Sequence, residues 1–397
     1  MSNYHPFLNA LVSIGACLVV TTFSLPANAQ LAQNGTCSAI SDAPVVVEEE
    51  LDGVLRQMLE STHGSAPGAV LSVRTDDWHY IAAAGFADPE AGTPLDCASP
   101  FQIGSNTKMM TAVVLLQLVE AGRVGLDDPL SLHLPEIAER LPNGEAMTFR
   151  QLARHTSGVF SYTDNASDGT PGLMEGGLTD RAALVRQIDP QEMIDFVVEH
   201  GAPNFLPDAE GKWSYSNTGY ALLGLVIEKL DGRPIEKSYE ERIFGPLGMD
   251  RTYLWRGVPK DEFGLPRAYF IGTENEMTDW NLSQGWSAGG VISTVEDMHD
   301  FIEALIGGDL FLSAETLRLM QETVEPKHSL YLAYGVGLGL KGRDLWGHGG
   351  QTLGYASDIV AGPNFSLVAF GTSANNSASF AAGDVTEALQ NAGAFAE

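Results

Sequence analysis

The stretch FQIGSNTKMMTAVVLLQLVEAG, residues 101–122, decides the fold that this sequence predicts. Residues 105–121 favour a continuous helix that ends at Gly122, and the middle of this segment is apolar almost all round. A helix that is apolar on every side has to be covered on every side. We therefore expect this helix to lie buried between layers of other elements.

The patterns around this helix predict an α/β fold. Strand patterns occur towards the two ends of the chain, whereas residues 128–284 show short helical patterns that alternate with Gly-, Pro- and Asp-rich loops. The simplest arrangement is an antiparallel sheet flanked by helices, with a mostly helical domain inserted in the middle. The expected units are a signal peptide (1–29), a sheet domain (30–127 and 285–397) and the inserted domain (128–284). The expected elements are a helix at 47–62, a hairpin at 68–86, strands at 334–340, 344–348, 357–363 and 365–373, and a helix at 383–395.

Length, composition and charge exclude several classes of protein. The 397 residues include 44% apolar residues, which is enough for a sizeable core. The 22 Lys and Arg stand against 51 Asp and Glu, which gives a formal net charge of −29. Binding to nucleic acid or to anionic lipid needs local positive charge, so this balance argues against both. We expect a small molecule or a peptide as the partner, and the sequence leaves the oligomeric state open.

The first 29 residues have the pattern of a secretory signal peptide. They contain no Asp, Glu, Lys or Arg, and an apolar run from about Ala10 to Leu25 precedes Ala27-Asn28-Ala29. Cleavage after Ala29 would give a secreted or periplasmic chain with no membrane span. Two alternatives stay open: a membrane anchor that is retained, and lipoprotein processing at Cys17.

Cysteine usage fits an exported protein. Cleavage would leave Cys37 and Cys97, which either form one disulfide or stay as two thiols. The sequence has no CxxC pair and no Cys/His cluster with metal-ligand spacing. We therefore expect neither a metal nor another cofactor.

Ser105 and Lys108 are the first candidates for catalysis. They lie one helical turn apart at the start of the buried helix and so share a face. A serine hydroxyl becomes a good nucleophile when a base takes its proton, and a neutral lysine amine can be that base. The alternative is that Ser105 caps the helix and Lys108 extends to solvent. The short motif does not decide between them, so the catalytic hypothesis needs further partners.

Two later motifs supply such partners. Tyr215-Ser216-Asn217 precedes an apolar helix. The tyrosine can relay a proton if a neighbouring ammonium lowers its pKa, and the asparagine can hold an amide or the lysine. His348-Gly349-Gly350 follows a predicted strand, and its histidine can bind a substrate group or tune the tyrosine. The next backbone amide, that of Gln351, can face an oxyanion. In isolation, each motif could also be an ordinary turn.

The order and separation of the three motifs resemble those of the serine β-lactamase and penicillin-binding protein superfamily. The more similar branch contains class C β-lactamases, D,D-carboxypeptidases and D-aminopeptidases. The resemblance begins at about residue 47 and covers the rest of the chain. It also rests on LARHTSGV (152–159), GMDRTYL (248–254), SAGGVISTVEDMHDF (287–301) and GHGGQTLGY (347–355).

This resemblance implies a role for each matched residue. Ser105 corresponds to the acylated nucleophile and Lys108 to its proton acceptor. Tyr215 corresponds to the relay that protonates the leaving group and activates the deacylating water. The backbone amides of Ser105 and Gln351 would form the oxyanion hole. The residues expected to bind substrate are Asn217, His348, Gly350 and Gln351.

Two departures from the family pattern affect the expected substrate. The third motif often reads KTG or HTG, and Gly349 here replaces the threonine whose hydroxyl contacts the substrate carboxylate. His348 is neutral more often than a lysine would be. Both departures count against an efficient β-lactamase and leave room for D-aminopeptidase, D-amino-acid amidase or esterase activity. Arg343 could supply a carboxylate contact instead, or it is an ordinary surface arginine.

A second serine fits a different catalytic pattern. Gly285-Trp286-Ser287-Ala288-Gly289 matches the GxSxG elbow of α/β-hydrolases. That elbow follows a buried strand, whereas the preceding stretch MTDWNLSQ (277–284) is polar. We expect instead that this region packs beside the site, with Trp286 as a candidate wall.

The sequence therefore predicts an exported serine hydrolase that works through an acyl-enzyme. The expected substrates are peptides or amides with D-residues, as for D-alanyl-D-alanine carboxypeptidases and D-aminopeptidases. The alternatives are an esterase on small esters or lactones, a class C-like β-lactamase of weak activity, and a non-catalytic binding or sensor module.

Overall fold

The fold is organised around one large antiparallel sheet. The computed structural model describes residues 41–60, 67–270, 275–327, 329–374 and 381–394. The strands are β1 (Gly68–Arg74), β2 (His79–Asp88), β3 (Thr93–Pro94), β4 (Phe101–Gln102), β5 (Tyr253–Leu254), β6 (Val291–Ser293), β7 (Ala333–Tyr334), β8 (Gly339–Gly342), β9 (Leu345–Gln351), β10 (Ala356–Ala361) and β11 (Ser366–Gly371). Eight of them form the sheet in the order β3-β2-β1-β11-β10-β9-β8-β7, and all neighbours are antiparallel.

Helices cover both faces of this sheet. In the described residues they are α1 (Val45–Glu60), α2 (Thr107–Glu120), α3 (Leu130–His133), α4 (Pro135–Ala138), α5 (Phe149–Arg154), α6 (Arg181–Leu184), α7 (Pro190–His200), α8 (Asn217–Asp231), α9 (Ile235–Tyr239), α10 (Gly245–Leu247), α11 (Trp286–Gly289), α12 (Val295–Gly307), α13 (Ala314–Met320) and α14 (Ala381–Asn391). The predicted class, an antiparallel sheet flanked by helices, is confirmed.

The central strands are buried on both faces because their side chains alternate between two apolar clusters. In β11, Leu367 and Ala369 join the cluster formed by α1 and α14. Val368 and Phe370 join the opposite cluster, which contains α2 and α12. Side chains in a strand alternate with a period of two, so a continuous apolar run serves both clusters at once. The active-site helix α2 therefore lies on one face of the sheet, with the terminal helices on the other.

The helix α2 is buried as the sequence predicted. Every residue from Met109 to Leu116 is completely buried. Burial of a large apolar side chain contributes roughly 1.5–3 kcal/mol, so this helix is a main source of stability. It begins at Thr107, two residues later than predicted, because Gly104–Asn106 forms a 3₁₀ turn instead.

In its described residues, the region expected to be an inserted domain contains α3 to α10 and one short strand, β5. That strand pairs with β6, which in turn pairs with β4 directly before the 3₁₀ turn. The core cluster around α2 includes side chains from both parts of the chain. The predicted boundaries, 128–284 for the insertion and 30–127 with 285–397 for the sheet domain, stay a prediction.

One predicted strand is divided in two. Residues 334–340 were expected to form a single strand, whereas the structure has β7, a turn and then β8. Gly337 adopts a φ of +71° in this turn, and a Cβ added to it would lie 2.5 Å from the Ala112 Cβ atom of α2. A residue with a side chain fits neither the backbone conformation nor the space, so glycine at this position bends the chain onto α2.

Several predictions for the N-terminal region fall outside the described residues. The signal peptide at 1–29, with its alternatives, and Cys37 are among them. Cys97 is buried and disulfide-bonded, and its pairing with Cys37 stays a prediction. Among the helices that the structure describes, none combines the length and apolar character needed to cross a membrane.

The strand β9 approaches the turn before α2 closely, and Gly350 makes this approach possible. A Cβ atom on Gly350 would clash with the Ile103 carbonyl oxygen and lie 2.6 Å from the Asn106 side-chain nitrogen. The main role of Gly350 is thus to dock β9 against the turn.

Replacing Gly350 by Ala should therefore destabilise the fold by roughly 1–3 kcal/mol, the usual cost of overpacking. Gly53→Ala is the matched control, because Gly53 lies in α1 and an added Cβ meets nothing within 4 Å. We expect the control to stabilise the protein by about 0.5–1 kcal/mol through the helix propensity of alanine. Denaturant unfolding of both variants measures this, and equal stability of Gly350→Ala and the unmodified protein would contradict the docking role.

Candidate active site

Ser105 lies in a 3₁₀ turn that is fastened to the sheet. The Asn106 side chain donates hydrogen bonds to the Ile103 carbonyl oxygen (3.1 Å) and to the Ser357 hydroxyl of β10 (2.8 Å). The Ser357 hydroxyl in turn donates to the same Ile103 carbonyl oxygen (3.0 Å). These bonds are buried, so the position of the candidate nucleophile is set by the sheet rather than by the loop alone.

The end of β9 lies directly beside this turn. Gly104 has a φ of +52°, and a Cβ on it would lie 2.6 Å from the backbone nitrogen of Gln351. Glycine at this position therefore lets the backbone of Gln351 approach the residue before Ser105. The side-chain amide of Gln351 donates to the Ala374 carbonyl oxygen. The proximity of the two backbones is compatible with an oxyanion hole formed by the amides of Ser105 and Gln351.

Lys108 is a completely buried amine with three hydrogen-bond partners. Its Nζ atom is 3.1 Å from the Ser105 Oγ atom. It is also 2.7 Å from the Asn217 Oδ1 atom and 2.7 Å from the Ala288 carbonyl oxygen. The alternative in which Lys108 extends to solvent is thereby excluded.

The burial of Lys108 determines its protonation state. Desolvation lowers the pKa of the amine well below its ordinary value of 10.5. A neutral amine has two N–H groups and one lone pair. The carbonyl oxygens of Asn217 and Ala288 can only accept, so they take the two N–H groups. The lone pair is then left for the hydroxyl proton of Ser105, which is the arrangement that a general base needs.

Tyr215 lies over this amine, and burial raises the pKa of its phenol, with the Ser105 hydroxyl acting in the opposite direction. The Lys108 Nζ atom is 4.8 Å from the centre of the Tyr215 ring. The hydroxyl of Tyr215 forms no hydrogen bond of standard geometry with the described residues, although the Ser105 hydroxyl is near enough to affect its pKa. A lowered pKa of Tyr215 was the condition for the predicted relay, whereas burial shifts this pKa in the opposite direction. A phenol with a raised pKa stays protonated and can donate a proton, and the catalytic roles of Tyr215 and Lys108 stay predictions.

Asn217, the first residue of α8, orients Lys108. Its Oδ1 atom accepts from Lys108, its Nδ2 atom donates to the Thr163 hydroxyl (3.0 Å), and its backbone N–H donates to the Ser161 hydroxyl (3.2 Å). Both ends of the amide thus have protein partners. The structure places Asn217 against the lysine, one of the two roles that the sequence allowed, and its contact with a substrate amide stays a prediction.

His155 accepts hydrogen bonds from the residues before and after Tyr215, and no sequence pattern had pointed to it. The Ser214 N–H donates to its carbonyl oxygen and the Ser216 N–H to its Nδ1 atom, each at 3.1 Å. Its ring packs on the Tyr215 ring with the centres 4.2 Å apart. His155 has a φ of +61°, a conformation that non-glycine residues rarely adopt. It is therefore a positioning residue for Tyr215.

His348 lies in the same aromatic cluster, beside Tyr215, Tyr331 and Tyr334. It is 1% exposed, and its Nε2 atom is 2.9 Å from the Tyr334 hydroxyl. Its Nδ1 atom is 3.0 Å from the Tyr331 hydroxyl. Burial, with the nearby Lys108, lowers its pKa well below the usual value of 6.5, so the ring is neutral. Both ring nitrogens thus have partners within the protein, and the expectation that His348 binds a substrate group stays a prediction.

The alternative nucleophile Ser287 is part of the core. Ser287 is completely buried, and its hydroxyl donates to the Tyr220 carbonyl oxygen (3.0 Å). Trp286 is 1% exposed, and the Arg256 guanidinium carbon lies 4.7 Å from its ring centre. The expectation that Trp286 forms a wall of the site is therefore wrong. This segment contributes the Ala288 carbonyl oxygen to Lys108 instead.

Some of the site residues that were not predicted lie in stretches of sequence that could have pointed to them. His155 and Ala288 lie in the stretches LARHTSGV and SAGGVISTVEDMHDF, which carried the family resemblance, so those stretches could have been searched for partners of the three motifs. Tyr331 and Tyr334 stand in SLYLAY (329–334), which has no catalytic pattern. Arg343 is exposed before β9, in agreement with an ordinary surface arginine.

The comparison with known families agrees with this geometry. The Beta-lactamase family model matches residues 51–390. The chain belongs to the Beta-lactamase family. The resemblance drawn from the three motifs is thereby confirmed. The prediction of a serine hydrolase is also confirmed at the level of the family.

Curated relatives of this Beta-lactamase family member include penicillin-binding proteins and an esterase. The chain is 27% identical over 311 residues to Penicillin-binding protein 4* of Bacillus subtilis, across 74% of this chain and 64% of that protein. It is 32% identical over 222 residues to Esterase EstB of Burkholderia gladioli, across 54% of this chain and 53% of that protein. The match to PbpX, a penicillin-binding protein of Bacillus subtilis, is 26% identical across 62% of this chain and 56% of that protein. The chain thus spans between half and two thirds of the length of these relatives.

Solved structures match over more of their length. The D-amino acid amidase of Ochrobactrum anthropi SV3 superposes with a TM-score of 0.74 at 26% identity, covering 87% of this chain and 99% of the amidase. A D-stereospecific amidohydrolase from Streptomyces sp. gives a TM-score of 0.67 at 29% identity, covering 85% of this chain and 97% of the amidohydrolase. Both support the fold described above.

The pH dependence of the reaction should report on Lys108. Because the amine must be neutral to accept the Ser105 proton, the rate is lost as the pH falls through the lowered pKa of Lys108 and is retained above it. We expect kcat/KM for an uncharged substrate to reach its plateau well below pH 10.5, the ordinary lysine value. A pH–rate profile between about pH 5 and 10 measures this. A rate that still rises at pH 10 would contradict a neutral buried lysine.

Substitutions of His155 should separate positioning from folding. His155→Phe keeps a ring against Tyr215 and removes the acceptor of the Ser216 N–H, so we expect kcat to fall about 10-fold to 100-fold with a smaller change in KM. His155→Asn is the matched variant, because its Oδ1 atom can replace Nδ1 and asparagine tolerates a positive φ. We expect it to recover part of the lost kcat. Equal kcat values in two folded variants would rule out the positioning role.

Proposed function

We propose that this protein hydrolyses amides and peptides of D-amino acids through an acyl-enzyme on Ser105. The observation that carries the proposal is the hydrogen bonding of Lys108. Two acceptors, Asn217 and Ala288, fix a buried neutral amine so that its remaining lone pair faces the Ser105 hydroxyl at 3.1 Å. A lysine with only a packing role would gain nothing from this arrangement.

The first half of the proposed reaction is acylation. The Ser105 Oγ atom bonds to the substrate carbonyl carbon while its proton passes to the lone pair of Lys108. The negative charge on the carbonyl oxygen would be stabilised by the backbone amides of Ser105 and Gln351. When the bond to the leaving group breaks, that group takes the phenol proton of Tyr215, and the Lys108 ammonium returns a proton to Tyr215.

The second half is hydrolysis of the acyl-enzyme. Water attacks the ester on Ser105 and gives its proton to Lys108, directly or through Tyr215. The Ser105 Oγ atom then leaves and takes a proton from the Lys108 ammonium, which restores the serine hydroxyl and the neutral amine. The raised pKa of Tyr215 suits it to this role, because a phenol that stays protonated can always donate to the departing group.

The choice of D-residue amides rests on similarity. Two of the solved structures that match over nearly their whole length are a D-amino acid amidase and a D-stereospecific amidohydrolase. Esterase activity on small esters or lactones is the second candidate, favoured by the 32% identity to Esterase EstB. We also propose export, based on the signal-peptide pattern of residues 1–29.

The deciding experiment is a substrate panel with intact-mass detection of the acyl-enzyme. The panel consists of D-alanyl p-nitroanilide, its L-enantiomer, N-acetyl-D-alanyl-D-alanine, p-nitrophenyl acetate and nitrocefin. We expect turnover of the D-anilide in preference to the L-anilide, together with a mass increase equal to the acyl group. Turnover of p-nitrophenyl acetate alone would replace the amidase proposal by the esterase.

Two serine variants serve as controls. Ser105→Ala should lose the mass increase and reduce turnover by at least about a thousandfold, the usual loss when a nucleophile is removed. Ser287→Ala should keep the mass increase, because the Ser287 hydroxyl is buried in the core and donates to the Tyr220 carbonyl oxygen. Labelling that survives in Ser105→Ala and is lost in Ser287→Ala would overturn the assignment.

A further inference from the structure

We infer that the site takes acyl donors with no carboxylate beside the scissile bond: neutral amides and esters, rather than peptides that end in a free carboxylate. The inference rests on the proposed acyl-enzyme function and narrows its substrate class. It separates two activities that the sequence analysis left together, D,D-carboxypeptidase and D-aminopeptidase or amidase.

The first support is the set of side chains at the end of β9, the strand that borders the Ser105 turn. Gly349 has no side chain, and its N–H donates to the Tyr331 hydroxyl (3.2 Å). Gly350 is packed against Ile103. The side-chain amide of Gln351 is bonded to the Ala374 carbonyl oxygen. None of these side chains offers a cation or a hydroxyl to a substrate.

The second support is a chain of hydrogen bonds that holds His348 in a neutral form. The Ser216 N–H can only donate, so the Nδ1 atom of His155 accepts and its Nε2 atom carries the hydrogen (3.1 Å). That Nε2–H donates to the Tyr334 hydroxyl (3.3 Å), which then donates to the Nε2 atom of His348 (2.9 Å). The remaining Nδ1–H of His348 faces the Tyr331 hydroxyl and the Gly349 carbonyl oxygen. Both ring nitrogens are therefore occupied within the protein.

The two lysines near this strand are also engaged, and Arg343 is exposed before Leu345, at the end of the strand opposite to Gln351. All 22 Lys and Arg lie in the part of the chain that the structure describes. Lys108 is the base and is neutral before the reaction. Lys341, whose Nζ atom is 6.0 Å from the Tyr331 ring centre, forms an ion pair with the buried Asp358. Neither is available as a counter-ion for a substrate carboxylate.

A carboxylate that entered this site would lose water without gaining a charged partner. Desolvation of an unpaired carboxylate is costly, whereas a carboxamide or an ester group loses much less. The net charge of −29 adds a general repulsion, which salt can screen. The discrimination that arises from desolvation of the carboxylate should therefore persist at high salt, whereas the repulsion by the net charge should weaken.

The test compares two substrates that differ only in that group. We expect N-acetyl-D-alanyl-D-alanine amide to have a kcat/KM at least tenfold higher than N-acetyl-D-alanyl-D-alanine, in 0.15 M and in 1 M NaCl. If neither peptide is turned over, phenyl acetate and 4-carboxyphenyl acetate form the equivalent pair with the same expected ratio. Equal kcat/KM values for the two substrates in 1 M NaCl, or a higher kcat/KM for the carboxylate, would overturn the inference.

Two variants test the structural cause. His348→Lys introduces a cation and Gly349→Thr introduces a hydroxyl, and each should lower the ratio of neutral to carboxylate substrate. An unchanged ratio in both folded variants would show that β9 does not set this preference. Ser105→Ala keeps the two proposals distinguishable. Turnover that survives in Ser105→Ala refutes the acyl-enzyme itself, whereas Ser105-dependent turnover of both substrates at equal rates refutes only the narrower inference.

Discussion

The structure of this site depends on one constraint, the burial of the Lys108 amine. A lysine without solvent contact keeps a neutral amine because charging it would leave an ammonium without hydration. The net charge of −29 acts in the opposite direction, since a negative field raises the pKa of an amine. The lowered pKa of Lys108 shows that local desolvation outweighs that field. The apolar helix α2 is therefore part of the chemistry, because it supplies the dry surroundings on which the base depends.

The hydrogen-bond partners of this amine explain why the predicted insertion has to pack against the part of the chain that contains α2. Asn217 and Ala288, which accept its two N–H groups, lie 109 and 180 residues further along the chain. Asn217 begins α8 in the predicted insertion, and Ala288 lies in α11, just before β6. Neither can reach Lys108 unless α8 and α11 pack against α2. The core cluster that surrounds α2 is continuous across these elements, so the same packing that buries the lysine also delivers its acceptors.

The parts of the site that the sequence predicted were those with local patterns. The apolar run after Ser105 predicted the buried helix, and the Ser105–Lys108 spacing predicted the contact between them. The direction of the Tyr215 pKa shift could not be read in this way, because it depends on burial by elements far away in the sequence. The same holds for His348, which the Gly-rich motif placed near the substrate. Its hydroxyl partners, Tyr331 and Tyr334, come from a stretch with no recognisable motif, and only the folded β7–β9 region brings them to the ring.

The neutrality of the histidines has a consequence for the base. In a site with a charged lysine at position 348, that charge would itself lower the pKa of Lys108. His348 is neutral, and burial is accordingly the cause of the lowered pKa of Lys108. In the other direction, the charge of Lys108 lowers the pKa of both His155 and His348. When Lys108 takes the Ser105 proton, the histidines therefore stay neutral, and their hydrogen bonds to the Tyr215 segment and to Tyr334 keep the same donors and acceptors. The proton moves between Ser105, Lys108 and Tyr215 while the surrounding network does not have to rearrange.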